Sequence, residues 1–129
     1  MPKGFREDDK TEYYTAKNER VRSKSEINIA NALNLAGNPY IYEFPVKLKN
    51  GIVCHPDFKI LNVRERKTYY WEHLGKMNDN DYINTNMLRL QDLSNVGIVQ
   101  GKNLILTFES LEIPLSSKVV QIIIDTILK

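Results

Sequence analysis

The 129-residue sequence contains one cysteine, Cys54. That excludes a disulfide framework within one chain and any cysteine-clustered zinc site, and it fits a reducing, cytoplasmic setting. An apolar run of the roughly 18 residues needed to span a bilayer is missing. The opening MPKGFREDDK also lacks the apolar core of a secretory signal. Neither secretion nor a membrane partner is therefore expected. A large net charge is absent as well: 18 Lys and Arg stand against 16 Asp and Glu, for a net of +2. Any nucleic-acid binding must then come from local patches. No internal repeat, low-complexity block or linker divides the chain, and its length suits one domain with a real core. With 42% hydrophobic and 26% charged residues, the composition is that of a folded globular chain rather than a disordered one.

Residues 1–20 are polar, mix both charge signs and show no sustained periodicity. They read as a flexible lead-in in which Tyr13 and Tyr14 can dock locally, followed by a single domain over 21–129. SEINIANALNLAG predicts a helix ending at Gly37, just before Pro39. YIYEFPV predicts a strand, Asn50-Gly51 a turn, and IVCHPDFKIL a second strand whose proline marks a bulge or an edge. NVRERK turns the chain back into TYYWEHLG, a third strand, so three antiparallel strands form a meander. NDYINTNMLRLQDLSN predicts a second helix, capped by Asp79 or Asn80 and stopped by Gly97. NLILTFE is a fourth strand, and SSKVVQIIIDTILK a last amphipathic helix capped by Ser116 or Ser117. The order α-β-β-β-α-β-α implies an α/β domain with a mixed central sheet flanked by helices.

Strand side chains alternate between faces. In the second strand His55, Asp57 and Lys59 share one face; in the third, Tyr70, Glu72 and Leu74 share one, with Tyr69, Trp71 and His73 on the other. If the two strands are neighbours, Asp57 and Glu72 project together, about 5 Å apart when directly opposed. Carboxylates that close repel unless a cation lies between them. Glu26 begins the stripe Glu26, Ile29, Ala30, Leu33, Gly37, which points it at the sheet rather than at solvent. Such an oxygen-rich set suits magnesium, a hard divalent cation that can activate water and neutralise a phosphodiester.

Plainer roles are open to the same residues. SKSE at 23–26 is also a capping box, with Ser23 as cap and Glu26 reaching back to its amide. Asp57 can serve a turn after Pro56 or pair with Lys59, and Glu72 can pair with an arginine such as Arg89. His55 reads as a polar strand-end residue, and the side chain of His73 as lying away from the acids. Tyr69, Tyr70 and Trp71 read as packing rather than base-stacking residues. Arg22 and Lys24 flank a helix N-terminus, where they can hold a backbone phosphate or simply be solvated.

Glu26 in the first helix, PD at 56–57, EHL at 72–74 and the order helix, three strands, helix, strand resemble the PD-(D/E)xK nuclease superfamily, over residues 20–129. VRSKSEINIANAL, PYIYEFP, HPDFKI and YYWEHLGKM followed by GKNLILTFE look like one poorly characterised bacterial or phage-borne branch. The resemblance implies a restriction-endonuclease-like core and a metal-dependent nuclease that hydrolyses phosphodiesters, in DNA first of all. Asp57 and Glu72 would then bind magnesium, or manganese as its substitute, with the backbone carbonyl of His73 as a further ligand and Glu26 acting through the metal or its waters. The family's lysine position is Leu74 here, and leucine cannot orient water. The basic group would have to come from elsewhere: Lys59 for water, Arg89 for phosphate, with Lys76 third. Arg89 stays protonated and so can stabilise charge but not act as a base. Arg22, Lys24 and Lys76 are the nucleic-acid-binding candidates. The missing lysine also supports an alternative: an inactive nuclease-fold module that binds nucleic acid or protein. So small a core offers little surface for target recognition, which makes a homodimer or a helicase-like protein the partner to expect.

Overall fold

Ordered structure begins before residue 21. In the computed structural model, which describes residues 3–129, Tyr13–Tyr14 (β1) pairs antiparallel with Arg20–Val21 (β2). Strands of two residues are too short to leave a periodic signal in a sequence. The hairpin is clamped instead by arginine: Arg20 donates to the carbonyls of Asp9 (3.0 Å) and Thr11 (2.7 Å). The guanidinium groups of Arg20 and Arg22 also lie 4.1 and 4.2 Å from the centre of the Phe5 ring. The first two residues of the expected lead-in lie outside the described residues.

The first helix, α1 (Lys24–Leu35), starts at Ser23, whose hydroxyl accepts the Glu26 amide at 3.2 Å. It ends where Gly37 takes φ +78° and Asn38 N–H returns to the Leu33 carbonyl at 3.0 Å. Ile29, Ala30 and Leu33 are buried along one stripe.

Prolines decide where the next strands stop. The stretch 40–46 splits into β3 (Tyr40–Tyr42) and β4 (Val46–Lys47), and 52–61 splits into β5 (Val53–Cys54) and β6 (Phe58–Asn62). Both breaks fall at one level: Glu43, at φ +52°, donates its N–H to the Asp57 carbonyl at 2.9 Å. Beyond that bond Pro45 and Pro56 have no N–H to give a ladder. The chain leaves the sheet there and β4 pairs with β5 as a separate hairpin. Pro56 therefore marks a strand break rather than the expected bulge or edge.

The main sheet is completed by β7 (Lys67–Leu74) and, after α2 (Asn80–Asn95), by β8 (Leu104–Phe108); its order is β3-β6-β7-β8. The first three strands are antiparallel neighbours, and β8 runs parallel to β7, as a connection through a helix allows. Asp79 caps α2 by accepting the amides of Asp81 (3.0 Å) and Tyr82 (3.2 Å). Ser116 caps α3 (Ser117–Ile123), which continues as a π-helical turn over Ile124–Leu128. Among the described residues the fold is α/β, with a mixed four-stranded sheet and three helices.

One face of the sheet packs Phe58, Ile60, Tyr69 and Trp71 against Ile29, Ala30 and Leu33 of α1 and Val120, Ile124 and Leu128 of the last helix. The other packs Leu104 against Leu93 of α2, Ile98, and Leu48 of the β4–β5 hairpin, with Tyr70 and Leu106 beside them. The alternation expected along β7 thus holds, with Trp71 and Tyr69 in the first core and Tyr70 facing the second. Two buried asparagines tie down the C-terminal turn: Asn38 donates to the carbonyls of Leu128 (2.9 Å) and Leu61 (3.2 Å), and Asn62 to that of Ile127 (3.2 Å). Among the described residues no helix is long and apolar enough to cross a membrane.

Candidate active site

The last paired residues of β6 and β7 are Phe58 and Trp71, so the next pair out is Asp57 and Glu72, at the level of the strand break. Glu72 is only 3% exposed. Its Oε1 accepts the Asp57 backbone N–H at 2.7 Å. Arg89, on α2, reaches across with Nε 3.0 Å from Glu72 Oε2 and Nη2 3.3 Å from Oε1, while Nη2 also donates to the His55 carbonyl at 2.8 Å. The Arg89 Nε–H is nevertheless buried without a well-aimed acceptor. The pair is held by charge more than by the two parallel hydrogen bonds that arginine and carboxylate can make.

Asp57 Oδ2 accepts the His73 backbone N–H at 2.7 Å. Glu26 Oε1 accepts the Tyr42 hydroxyl at 2.7 Å and the Arg22 N–H at 2.9 Å. The capping box is thus half formed: Ser23 caps as expected, but the Glu26 carboxylate takes the amide of Arg22 instead of that of Ser23. A fourth acid, Glu43, is 4% exposed and grips Arg22, with Nε 2.6 Å and Nη2 3.1 Å from its two oxygens.

These carboxylates are electrostatically frustrated. Burial, then repulsion from Glu72 and Glu26, pushes Asp57 well above the ordinary carboxylate range, although the residue as a whole keeps some solvent access. Burial also raises Glu72, against the opposing pull of Arg89. It raises Glu26 too, against the hydrogen bonds from Tyr42 and Arg22. Burial would lower Arg89, but Glu72 outweighs it and the guanidinium is raised. Four carboxylates (Glu26, Glu43, Asp57, Glu72) face two guanidinium groups (Arg22, Arg89), a surplus of two negative charges when all are ionised. No hydrogen bond among the described residues reaches Asp57 Oδ1 or Glu26 Oε2. Among the described residues no three Asp, Glu, His or Cys side chains stand close enough to form a ready metal cage.

The remaining candidates are dispersed. Lys59 places its ammonium 4.0 Å from the centre of the Phe44 ring. Lys76 and Lys24 are exposed, while Arg22 is committed to Glu43. Leu74 is buried at 4% exposure. Tyr82, on the same inward stripe of α2 as Arg89, accepts the Gly75 N–H at 3.1 Å.

The His73 imidazole lies in a second polar cluster, with Nε2 2.7 Å from Glu109 Oε1 and Nδ1 2.9 Å from the Thr107 hydroxyl, which also accepts the Trp71 indole N–H at 3.1 Å. Glu109 further accepts the Ser25 hydroxyl (2.6 Å) and the Leu115 N–H (3.0 Å). Burial acts to raise Glu109, but these hydrogen bonds outweigh it and hold the carboxyl below its ordinary value. Sequence reasoning missed Glu43 and Glu109. The only hint of Glu43 was a charged residue set among the aromatics of YIYEFP; Glu109 gave none.

No family model matches the chain, and neither does any curated protein.

Proposed function

We propose that the protein is a divalent-cation-dependent nuclease of the PD-(D/E)xK type, with a restriction-endonuclease-like core, that hydrolyses phosphodiester bonds in DNA. The observation that carries this reading is the burial of four carboxylates, wholly for Glu26, Glu43 and Glu72 and in part for Asp57, beside only two guanidinium groups, which leaves two negative charges unmatched when all are ionised. Burying unpaired carboxylates is costly, and a single divalent cation matches the surplus. The residues fit such an ion: Asp57 and Glu26 each keep one oxygen free of protein hydrogen bonds, and oxygen donors suit magnesium. Asp57 and Glu72 would hold it, with the His73 carbonyl and, through water, Glu26. When bound, magnesium supplies Lewis acidity and positive charge for attack on phosphorus. The connectivity β3-β6-β7-β8, with α1 before the meander and α2 leading into a parallel β8, supports the same reading.

The chain's own groups do the rest. Arg89, which faces both Glu72 oxygens, supplies a permanent positive charge that a phosphate oxygen could share. The Asp57 and His73 amides hold the carboxylates of Glu72 and Asp57 in place. A reducing, cytoplasmic setting and a homodimer or helicase-like partner that delivers substrate belong to the same proposal.

The second reading, a binding module without turnover, is favoured by the grip of Arg89 on both Glu72 oxygens and by Leu74 in place of lysine. Incubating the purified protein with plasmid, single-stranded DNA and RNA, with magnesium, manganese or EDTA, separates the two. Cation-dependent cleavage that drops at least about 100-fold in Asp57→Asn supports the enzyme, general acid–base and metal contributions being of that order. Absence of cleavage, or equal cleavage by Asp57→Asn, refutes it. Binding of labelled DNA or RNA in fluorescence anisotropy, without cleavage under any cation, would support the second reading.

A further inference from the structure

The β4–β5 hairpin has no role in the site just described, yet it is built onto it. Its inward side chains Val46, Leu48 and Cys54 pack with Leu93, Ile98 and Leu104, so it is anchored by its own small core. Its tip is closed by Leu48 N–H to the Ile52 carbonyl at 2.8 Å and by Gly51 at φ +85°. At its base the His55 carbonyl takes a hydrogen bond from Arg89 at 2.8 Å, and Asp57 follows two residues later.

The outward side is different in kind. Lys47 stands opposite Val53, Lys49 follows toward the tip, and both lysines are exposed. Neither makes an ion pair or a side-chain hydrogen bond among the described residues. Residues 44–56 contain no acidic residue at all. The flanking acids give these lysines nothing, because Glu43 is taken by Arg22 and Asp57 sits below in the cluster. Lys59 places its ammonium over the Phe44 ring, at the foot of the hairpin. Ile52 and Val53 are 61% and 48% exposed beside the lysines.

We propose that this hairpin is a wing that grips the phosphodiester backbone of a nucleic acid next to the acidic site, with Lys47 and Lys49 as its phosphate contacts. The proposal rests on the nuclease reading above and names the surface that holds its substrate. An acid-free, doubly basic hairpin complements a polyanion, and its exposed apolar residues suit contact with sugars and base edges. The scale also fits. Val53, opposite Lys47, is four residues from Asp57, at most about 13 Å of extended chain, or about four nucleotides of rise along one strand. The wing would hold phosphates a few nucleotides from the one attacked.

Fluorescence anisotropy of the full chain on labelled duplex DNA, single-stranded DNA and RNA, across a salt series, tests this. Each phosphate contact contributes about 0.9 to the log–log salt slope on duplex and about 0.7 on single strands. Lys47→Ala/Lys49→Ala should therefore lower the slope by about 1.8 on duplex or about 1.4 on a single strand. Lys67→Ala/Lys118→Ala, which removes the same charge from β7 and α3, should leave the slope within about 0.5 of wild type, the DNA and RNA arms identifying the substrate. If the wing variant keeps the wild-type slope, or both pairs lower it equally, the wing is refuted while cleavage by wild type leaves the nuclease reading standing. A lowered slope without cleavage supports the wing and refutes turnover. A wild-type chain that binds no nucleic acid refutes both.

Discussion

Arg89→Met removes the guanidinium that faces Glu72 while keeping most of the apolar stem. The carboxylate left behind is 3% exposed and loses contacts at 3.0 and 3.3 Å, and the His55 carbonyl loses a donor at 2.8 Å. Stranding one partner of a buried ion pair costs about 3–5 kcal/mol. Glu72 keeps the Asp57 N–H at 2.7 Å, which places the expected loss at the lower end. For a domain of this size about 3 kcal/mol corresponds to a fall in melting temperature of roughly 10–15 °C. Thermal unfolding by circular dichroism at neutral pH in EDTA measures it. The double variant Glu72→Gln/Arg89→Met removes both charges and should regain at least half of the loss, the interaction energy appearing as non-additivity. Saturating manganese should raise the melting temperature of Arg89→Met more than that of wild type, because the ion replaces the missing charge. A single variant that melts within about 3 °C of wild type, or a double variant no more stable than the single, would refute the claim that Glu72 is a buried charge dependent on Arg89.

Without divalent cations, stability should fall as pH rises from the ordinary carboxylate range through the raised values of Asp57, Glu72 and Glu26, because the folded state holds protons there that the unfolded chain has released. Urea midpoints at pH 5 and pH 8 should therefore differ more for wild type than for Asp57→Asn, and equal differences would count against the coupling. Glu109 has the opposite sign: its lowered carboxyl contributes stability above the ordinary glutamate value that is lost as pH falls through the lowered one. Glu109→Gln should cost about 1–3 kcal/mol at pH 7 and less at pH 3, read from the same denaturation curves. Asn38→Ala leaves the carbonyls of Leu61 and Leu128 without their donor. It should cost about 1–3 kcal/mol and speed amide exchange in the C-terminal turn.

Local rules carried much of the fold. Ser23, Asp79 and Ser116 cap the three helices at expected positions, because a cap depends only on the few residues after it. The stripe on α1 and the alternation on β7 also follow from short-range geometry, and they put Asp57 and Glu72 at one level of the sheet. The divided strands were less legible. Pro45 and Pro56 were visible, but only the bond from Glu43 to Asp57 shows that they interrupt neighbouring strands at the same level and release a hairpin.

The site divides along the same line. Three of its acids, Glu26, Asp57 and Glu72, could be named from the sequence because their spacing and type are local properties; Glu43 could not. Arg89 stood in the sequence as one possible partner for Glu72, and the approach of α2 makes that pair; the grip of Glu43 on Arg22 had no such local signal. Ser25, His73 and Glu109 meet across 84 and 36 positions of chain, a distance over which no residue pattern correlates. Sequence by itself determined which groups carry charge and which face of each element they occupy, since both are written into side-chain chemistry and backbone period. The tertiary structure alone decided which charges are buried together, because that depends on how separate elements dock, and the surplus around Asp57 and Glu72 exists only once they have.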